Sequence, residues 1–143
     1  MNLDIGCGPK KLPGYVGMDH QDREGVDIVG DIEGVWPVES ESCEKINACH
    51  VLEHVKPWKI FDVFNEAWRV LKPDGEMKVR TPYGVAYAFD PTHCILFQPV
   101  SFNYLTPHSD LFQIYQPKPW DVLSCERDDA LQEMTTVLRK RPL

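Results

Sequence analysis

The sequence predicts an α/β fold: a mostly parallel sheet with fewer helices than strands, finished by a C-terminal antiparallel hairpin. Three observations predict it. Short apolar runs ending in turn residues recur through the first two thirds of the chain. Only one segment repeats its apolar residues at helical spacing. The last two apolar runs flank a polar turn.

Asn2–Ile5 reads as a buried strand that stops at Gly6-Cys7-Gly8-Pro9. Tyr15–Asp19 and Val26–Val29 read as two more, each finishing near an acid, Asp19 or Asp31. Lys45–Cys49 is the fourth and runs into His50-Val51-Leu52-Glu53-His54. Pro57–Leu71 is the helix. Ile60, Phe61, Phe64, Ala67, Trp68 and Leu71 share one face, Pro57 suits the first turn, and Lys72-Pro73 ends it. Glu76–Arg80 is the fifth strand, launched by the turn Lys72–Gly75. Trp120–Glu126 and Leu131–Arg139 form the hairpin around Arg127-Asp128-Asp129.

Two connections, Gly6–Gly14 and His20–Gly25, are too short to hold a helix, although parallel crossovers usually take a dozen residues or more. The reading adopted is a parallel sheet stripped of two helices. One sheet face is then short of cover, and a homodimer with an apolar interface is expected to supply it. Residues 83–118 form a long aromatic insertion: 83–116 hold eight of the fifteen aromatic residues. This stretch is expected to add a small core, with Pro99–Leu105 as a short helix.

Length and charge bound the rest. With 143 residues and 16.4 kDa the chain suits one domain, 1–143, which buries roughly 68–70% of its unfolded surface. Lys plus Arg number 15 and Asp plus Glu 22, a net charge of −7. That balance argues against nucleic acid or anionic membrane as partner. No apolar run approaches a membrane span, and MNLDIGCG shows no signal-peptide pattern, so a cytoplasmic location is expected. The five cysteines are scattered without a CxxC pair and read as reduced thiols.

Asp4-Ile5-Gly6-Cys7-Gly8 places glycines at a strand end, where backbone approaches a ligand closely. The dinucleotide fingerprint fails, because Lys11 stands at the third glycine and Asp19 follows Gly8 too soon. Taken in order, LDIGCG, GYVGMD, VDIVGDIE, HVLEHV and EAWRVLKPDGEMKVRTP resemble the S-adenosylmethionine-dependent methyltransferases of the Rossmann-like class, especially their very short members. The resemblance covers residues 2–82. It implies a Rossmann-like sheet, methyl transfer, and S-adenosylmethionine as donor. It implies Asp19 for the ribose diol, Asp31 near the adenine amino group and Ile32 on the adenine edge. Gly6, Cys7 and Gly8 line the amino-acid tail, and His50 borders the methionine part. Asp4 orients the glycine loop, and His20 has a place beside ribose or adenine.

His50–His54 also matches H-x-x-E-H, a zinc-peptidase signature. That signature needs a helix, and the strand-like Ile46–Cys49 before it and Lys56-Pro57 after it leave none. No metal is therefore expected, and Glu53 and His54 read as packing and loop-shaping residues. On the acceptor side, Asp90-Pro91-Thr92-His93 followed by Ser101-Phe102 resembles a segment of the short members. It makes His93 the base candidate, with Asp90 or Tyr83 orienting it. The fourth strand reads NACH, not the amide-methylating DPPY. The expected acceptor is a small molecule or sugar-like group, methylated at oxygen or nitrogen. Two alternatives stay open: a nucleic-acid methyltransferase, and a donor-binding protein without transfer activity.

Overall fold

A computed structural model describes the whole chain, residues 1–143. Strand β1 (Asn2–Ile5) sits between β2 (Val16–Asp19) and β4 (Cys43–Cys49), and β3 (Ile28–Val29) lies outside β2. On the other side β4 pairs with β5 (Leu71–Pro82). The hairpin of β6 (Trp120–Asp128) and β7 (Glu133–Lys140) completes the order β3-β2-β1-β4-β5-β7-β6. Strands β1 to β5 are parallel, while β7 is antiparallel to both β5 and β6. The strand order reverses at β1, so a crevice opens where β1 and β4 end.

The short connections do run between parallel strands, without helices in them. Right-handed crossovers put the β1–β2 and β2–β3 connections on one face and those of β3–β4 and β4–β5 on the other. Helix α1 (Ile60–Val70) covers that second face with Val63, Phe64, Ala67 and Val70. Beneath it lie Leu3, Ile5, Ile46, Ala48, Met77 and Val79, all buried.

Residues 30–42 join α1 on the same face. The Glu66 carboxylate accepts from the Trp36 amide at 2.8 Å, and Arg69 donates to the Trp36 and Val38 carbonyls at 3.1 and 2.9 Å. The aromatic insertion packs there too. Phe61 lies 4.8 Å from Tyr115, and Trp68 Nε1 donates to the Pro119 carbonyl at 3.1 Å. Phe97 and Phe102 are buried and stacked at 5.6 Å, whereas Phe89 and Tyr115 stay exposed. Within the insertion, Gly84–Phe89 and Pro99–Leu105 are 3-10 turns and Phe112–Tyr115 is a short helix, α2.

The other sheet face carries no helix. Along β4 and β5 it shows Lys45, Asn47, Lys78 and Arg80, which alternate with the buried Ile46, Ala48, Met77 and Val79. The homodimer interface was expected on the first three strands and their short connections, away from these polar positions. No helix is long and apolar enough to cross a membrane.

Several boundaries differ from the expectation, two of them with consequences for packing. The helix begins at Ile60, after a 3-10 turn over Pro57–Lys59. Strand β5 begins at Leu71, not Glu76. Leu71 is fully buried and pairs with Cys43, so the pairing starts before the expected turn. That turn survives inside the strand as an irregularity, with Asp74 at φ 61° and a register shift between Cys43 and Lys45.

Candidate donor cleft and acceptor cluster

Gly6 follows β1 directly at φ 59°, and a Cβ there would lie 2.3 Å from Val51 Cγ2. Both backbone shape and space therefore require glycine. The buried Asp4 carboxylate pins the loop by accepting from the Leu12 amide and Asn47 Nδ2, each at 2.8 Å. Asp19 pins it again, accepting from the Gly8 amide at 3.0 Å. Burial raises the Asp19 pKa, but the hydrogen bonds from the Gln21 and Gly8 amides outweigh it, and the carboxyl is held below its ordinary value.

A cleft of about 380 Å³ opens at the switch point. Of the residues expected to hold the donor, Gly6, Asp19, His20, Asp31 and Ile32 line it. Asp31 uses one oxygen on the Glu33 amide at 2.9 Å. Trp36 Nε1 donates to the Ile32 carbonyl at 2.9 Å and fixes that wall. Asp4 and Cys7 instead line a second cavity of about 550 Å³ on the polar sheet face, with Lys10, Lys11, Lys78 and Arg80. Gly8 lines neither, and acts through its amide on Asp19.

His50 also lines neither cavity. Its backbone is left-handed, φ 53°, and its amide donates to the Arg80 carbonyl at 2.9 Å. Its Nε2 lies 2.7 Å from Glu133 Oε1, and its Nδ1 lies 3.7 Å from Glu53. The two carboxylates, Glu53 first, hold the His50 pKa above its ordinary value against a smaller opposing effect of burial.

Sequence reasoning missed the opposite wall, formed by Glu33, Val51, His54, Val55 and Lys56. Lys56 closes it by pairing with Glu33 at 3.3 Å. The one available signal was HVLEHV, whose valines turn inward from a 3-10 turn, Leu52–His54.

The acceptor-side candidates meet this wall. The Glu53 carbonyl accepts from the amides of Cys94 and Ile95 at 2.7 and 3.1 Å, which ties Asp90–Ile95 to the turn. The His93 ring then lies 4.8 Å from His54 and 5.2 Å from Tyr87, with Nδ1 2.6 Å from the Tyr87 carbonyl. Asp90 Oδ2 is 3.8 Å from His93 Nε2. Tyr83 takes a different partner: its hydroxyl accepts from Arg127 at 2.7 Å, and the guanidinium lies over its ring. The aromatic residue beside His93 is Tyr87.

Residues 15–79 match the family model for the methyltransferase domain. That stretch is similar to a methyltransferase domain. The fold agrees with that class across nearly the whole chain. A methyltransferase dependent on S-adenosylmethionine from Archaeoglobus fulgidus superposes with TM-score 0.68 at 13% identity, covering 97% of this chain and 85% of its own. The Burkholderia thailandensis 1,6-didemethyltoxoflavin-N1-methyltransferase, solved with bound 1,6-didemethyltoxoflavin and S-adenosylhomocysteine, gives 0.67 at 11% identity, covering 99% and 71%. The [4+2]-cyclase SpnF gives 0.67 at 13% identity, covering 97% and 73%. No curated protein matches the chain.

Proposed function

We propose that this chain moves the methyl group of S-adenosylmethionine to an oxygen or nitrogen of a small-molecule or sugar-like acceptor. The observation that carries the reading is the junction of two sites at His54. That residue lines the cleft and touches His93. The donor supplies a methyl group already activated by its positive sulfur.

The chain binds and orients. Asp19 is the proposed acceptor for the ribose diol; a carboxylate offers about four lone-pair sites, and two backbone amides use only part of them. Asp31 and Ile32 are assigned to the adenine, with His20 at the rim. Gly6, Cys7 and Gly8 are assigned to the amino-acid tail, with Asp4 as loop anchor. His50 is placed beside the methionine part, where its left-handed backbone is the kind of local strain that gathers at functional sites. His93, with Asp90 beside it, is assigned to removal of the acceptor's proton. Its Nδ1 is committed to the Tyr87 carbonyl, so Nε2 is the atom available. Tyr83, at the end of β5, is placed at the acceptor mouth.

The second cavity gives the nucleic-acid alternative its one supporting observation, because Lys10 and Lys78 lie there outside any ion pair. Oligonucleotide binding that falls steeply with salt is its signature.

The test is isotopically labelled S-adenosylmethionine incubated with acceptor pools and followed by mass spectrometry. Label should enter one small hydroxyl- or amine-bearing product. His93→Gln should lower that transfer by about 10²–10⁴-fold at unchanged donor affinity. Full transfer by the variant removes His93 from the reaction.

A further inference from the structure

We infer that Glu53, His54 and His93 bind one divalent transition-metal ion of the zinc type. One ligand atom from each of the three lies within 4.8 Å of the others. Glu53 is 1% exposed, and its Oε2 has no hydrogen-bond partner. A buried carboxylate oxygen left unpaired is costly and calls for a cation.

Hydrogen-bond bookkeeping fixes what the two imidazoles present to it. Thr92 Oγ1 has one hydrogen and gives it to Asp90 Oδ1 at 2.7 Å. Its 2.9 Å contact with His54 Nδ1 therefore requires that Nδ1 donate. His93 Nδ1, 2.6 Å from the Tyr87 carbonyl, must donate as well. Both neutral rings then carry their lone pairs on Nε2. His54 Nε2 is 3.8 Å from Glu53 Oε1, and His93 Nε2 is 3.8 Å from Asp90 Oδ2. Each ring therefore keeps an Nε2 lone pair free for an ion, in a cluster where one ligand atom of each residue lies within 4.8 Å of the others. Each Nδ1 is held by a hydroxyl or carbonyl, as in metal sites where a second ring of partners sets the tautomer.

Two imidazoles and a carboxylate suit zinc-type ions and not calcium or magnesium, which take oxygen ligands. Bonds of about 2.0–2.2 Å put tetrahedral ligands about 3.4 Å apart, so side-chain ends must draw in by about 1 Å. The ligand set is not that of the H-x-x-E-H signature, because His50 turns away to Glu133.

Three protein ligands leave a fourth position open. Resting on the proposed function, that position takes a hydroxyl oxygen of the acceptor, whose proton passes to water. The oxygen then forms its bond to the methyl carbon as the carbon–sulfur bond breaks and the electron pair stays on sulfur. With the ion bound, His93 Nε2 is a ligand, and the base role assigned above is that of the metal-free protein.

The test is titration of metal-free protein with Zn²⁺ by calorimetry and with Co²⁺ by visible absorption. One equivalent should bind. His54→Ala and His93→Ala should each abolish the cobalt band, and Thr92→Val, an exposed substitution, should weaken binding by about 10–100-fold at the same stoichiometry. No saturable binding by folded wild-type protein overturns the site. So does equal binding by both histidine variants, as exposed thiols such as Cys94 would give. S-adenosylmethionine affinity measured on the same samples separates the two readings. Metal lost with donor binding kept counts against this site alone; donor binding lost with metal kept counts against the donor assignment alone.

Discussion

Asp19 accepts from the amides of Gly8 and Gln21, so it shapes the glycine loop as well as facing the cleft. Asp19→Ala is expected to weaken S-adenosylmethionine binding by about 10–100-fold, since a hydrogen bond to a charged group contributes roughly 1.5–3 kcal/mol. Calorimetry that finds unchanged affinity in a folded variant takes Asp19 out of the site. His50 gives a second expectation. Its folded pKa is raised by Glu53 and Glu133, so the stabilisation from its protonated form is complete below the ordinary histidine value of about 6.5. It is lost as pH rises through the raised value. Glu133→Gln should lower the His50 pKa measured by NMR titration; an unmoved value would assign the shift to Glu53. Turn residues made the strand ends at Gly6, Asp19 and Asp31 legible in the sequence, and the family resemblance singled out Asp19, Asp31 and Ile32 as site candidates. The nearness of His54 and His93 was not. It depends on the Glu53 carbonyl capturing two amides forty residues away, roughly, and no local pattern encodes that.

Helix α1 shows the same contrast between elements. Its apolar stripe was legible from period alone, and so was the stop near Lys72-Pro73. The start of β5 at Leu71 was not, because it is decided by a buried partner on β4. Nor was the clamp that ties residues 30–42 to the helix. Arg69 meets Glu66 through Nε and Nη2 at 2.9 and 2.8 Å while reaching the Trp36 and Val38 carbonyls. Lysine cannot reproduce that fork. Arg69→Lys is expected to cost about 1–3 kcal/mol, seen as a lower urea midpoint at unchanged slope. The same variant should weaken donor binding, because Trp36 holds the Ile32 wall. An unshifted midpoint would mean the clamp is made by Glu66 alone. Arg69 also holds the Glu66 pKa below its ordinary value. That contribution is present above the ordinary glutamate value of about 4.3 and fades as pH falls through the lowered one.

At the scale of the molecule, helix, loop and aromatic insertion all cover one side of the sheet, and the other side is left to polar side chains. Short crossovers made the missing helices legible. They did not show how the bare face is kept in water, because the answer lies in the alternation of Lys45, Asn47, Lys78 and Arg80 across two strands. Self-association through this face is opposed by its like charges and is expected to strengthen as added salt screens them, which light scattering measures. Salt-insensitive dimers would place the interface elsewhere.

The uncovered face also has a thermal consequence. Unfolding raises the heat capacity through the apolar surface it exposes, and newly exposed polar surface lowers it. A sheet with one face already hydrated has less apolar surface left to reveal. An average chain of 143 residues gains about 1.7–2.1 kcal/mol/K on unfolding. Scanning calorimetry should find a smaller value here, and hence a stability curve that bends less with temperature on both its warm and its cold side. A gain at or above the average would show that the polar face hides more hydrocarbon, in its lysine and arginine stems, than its charges suggest.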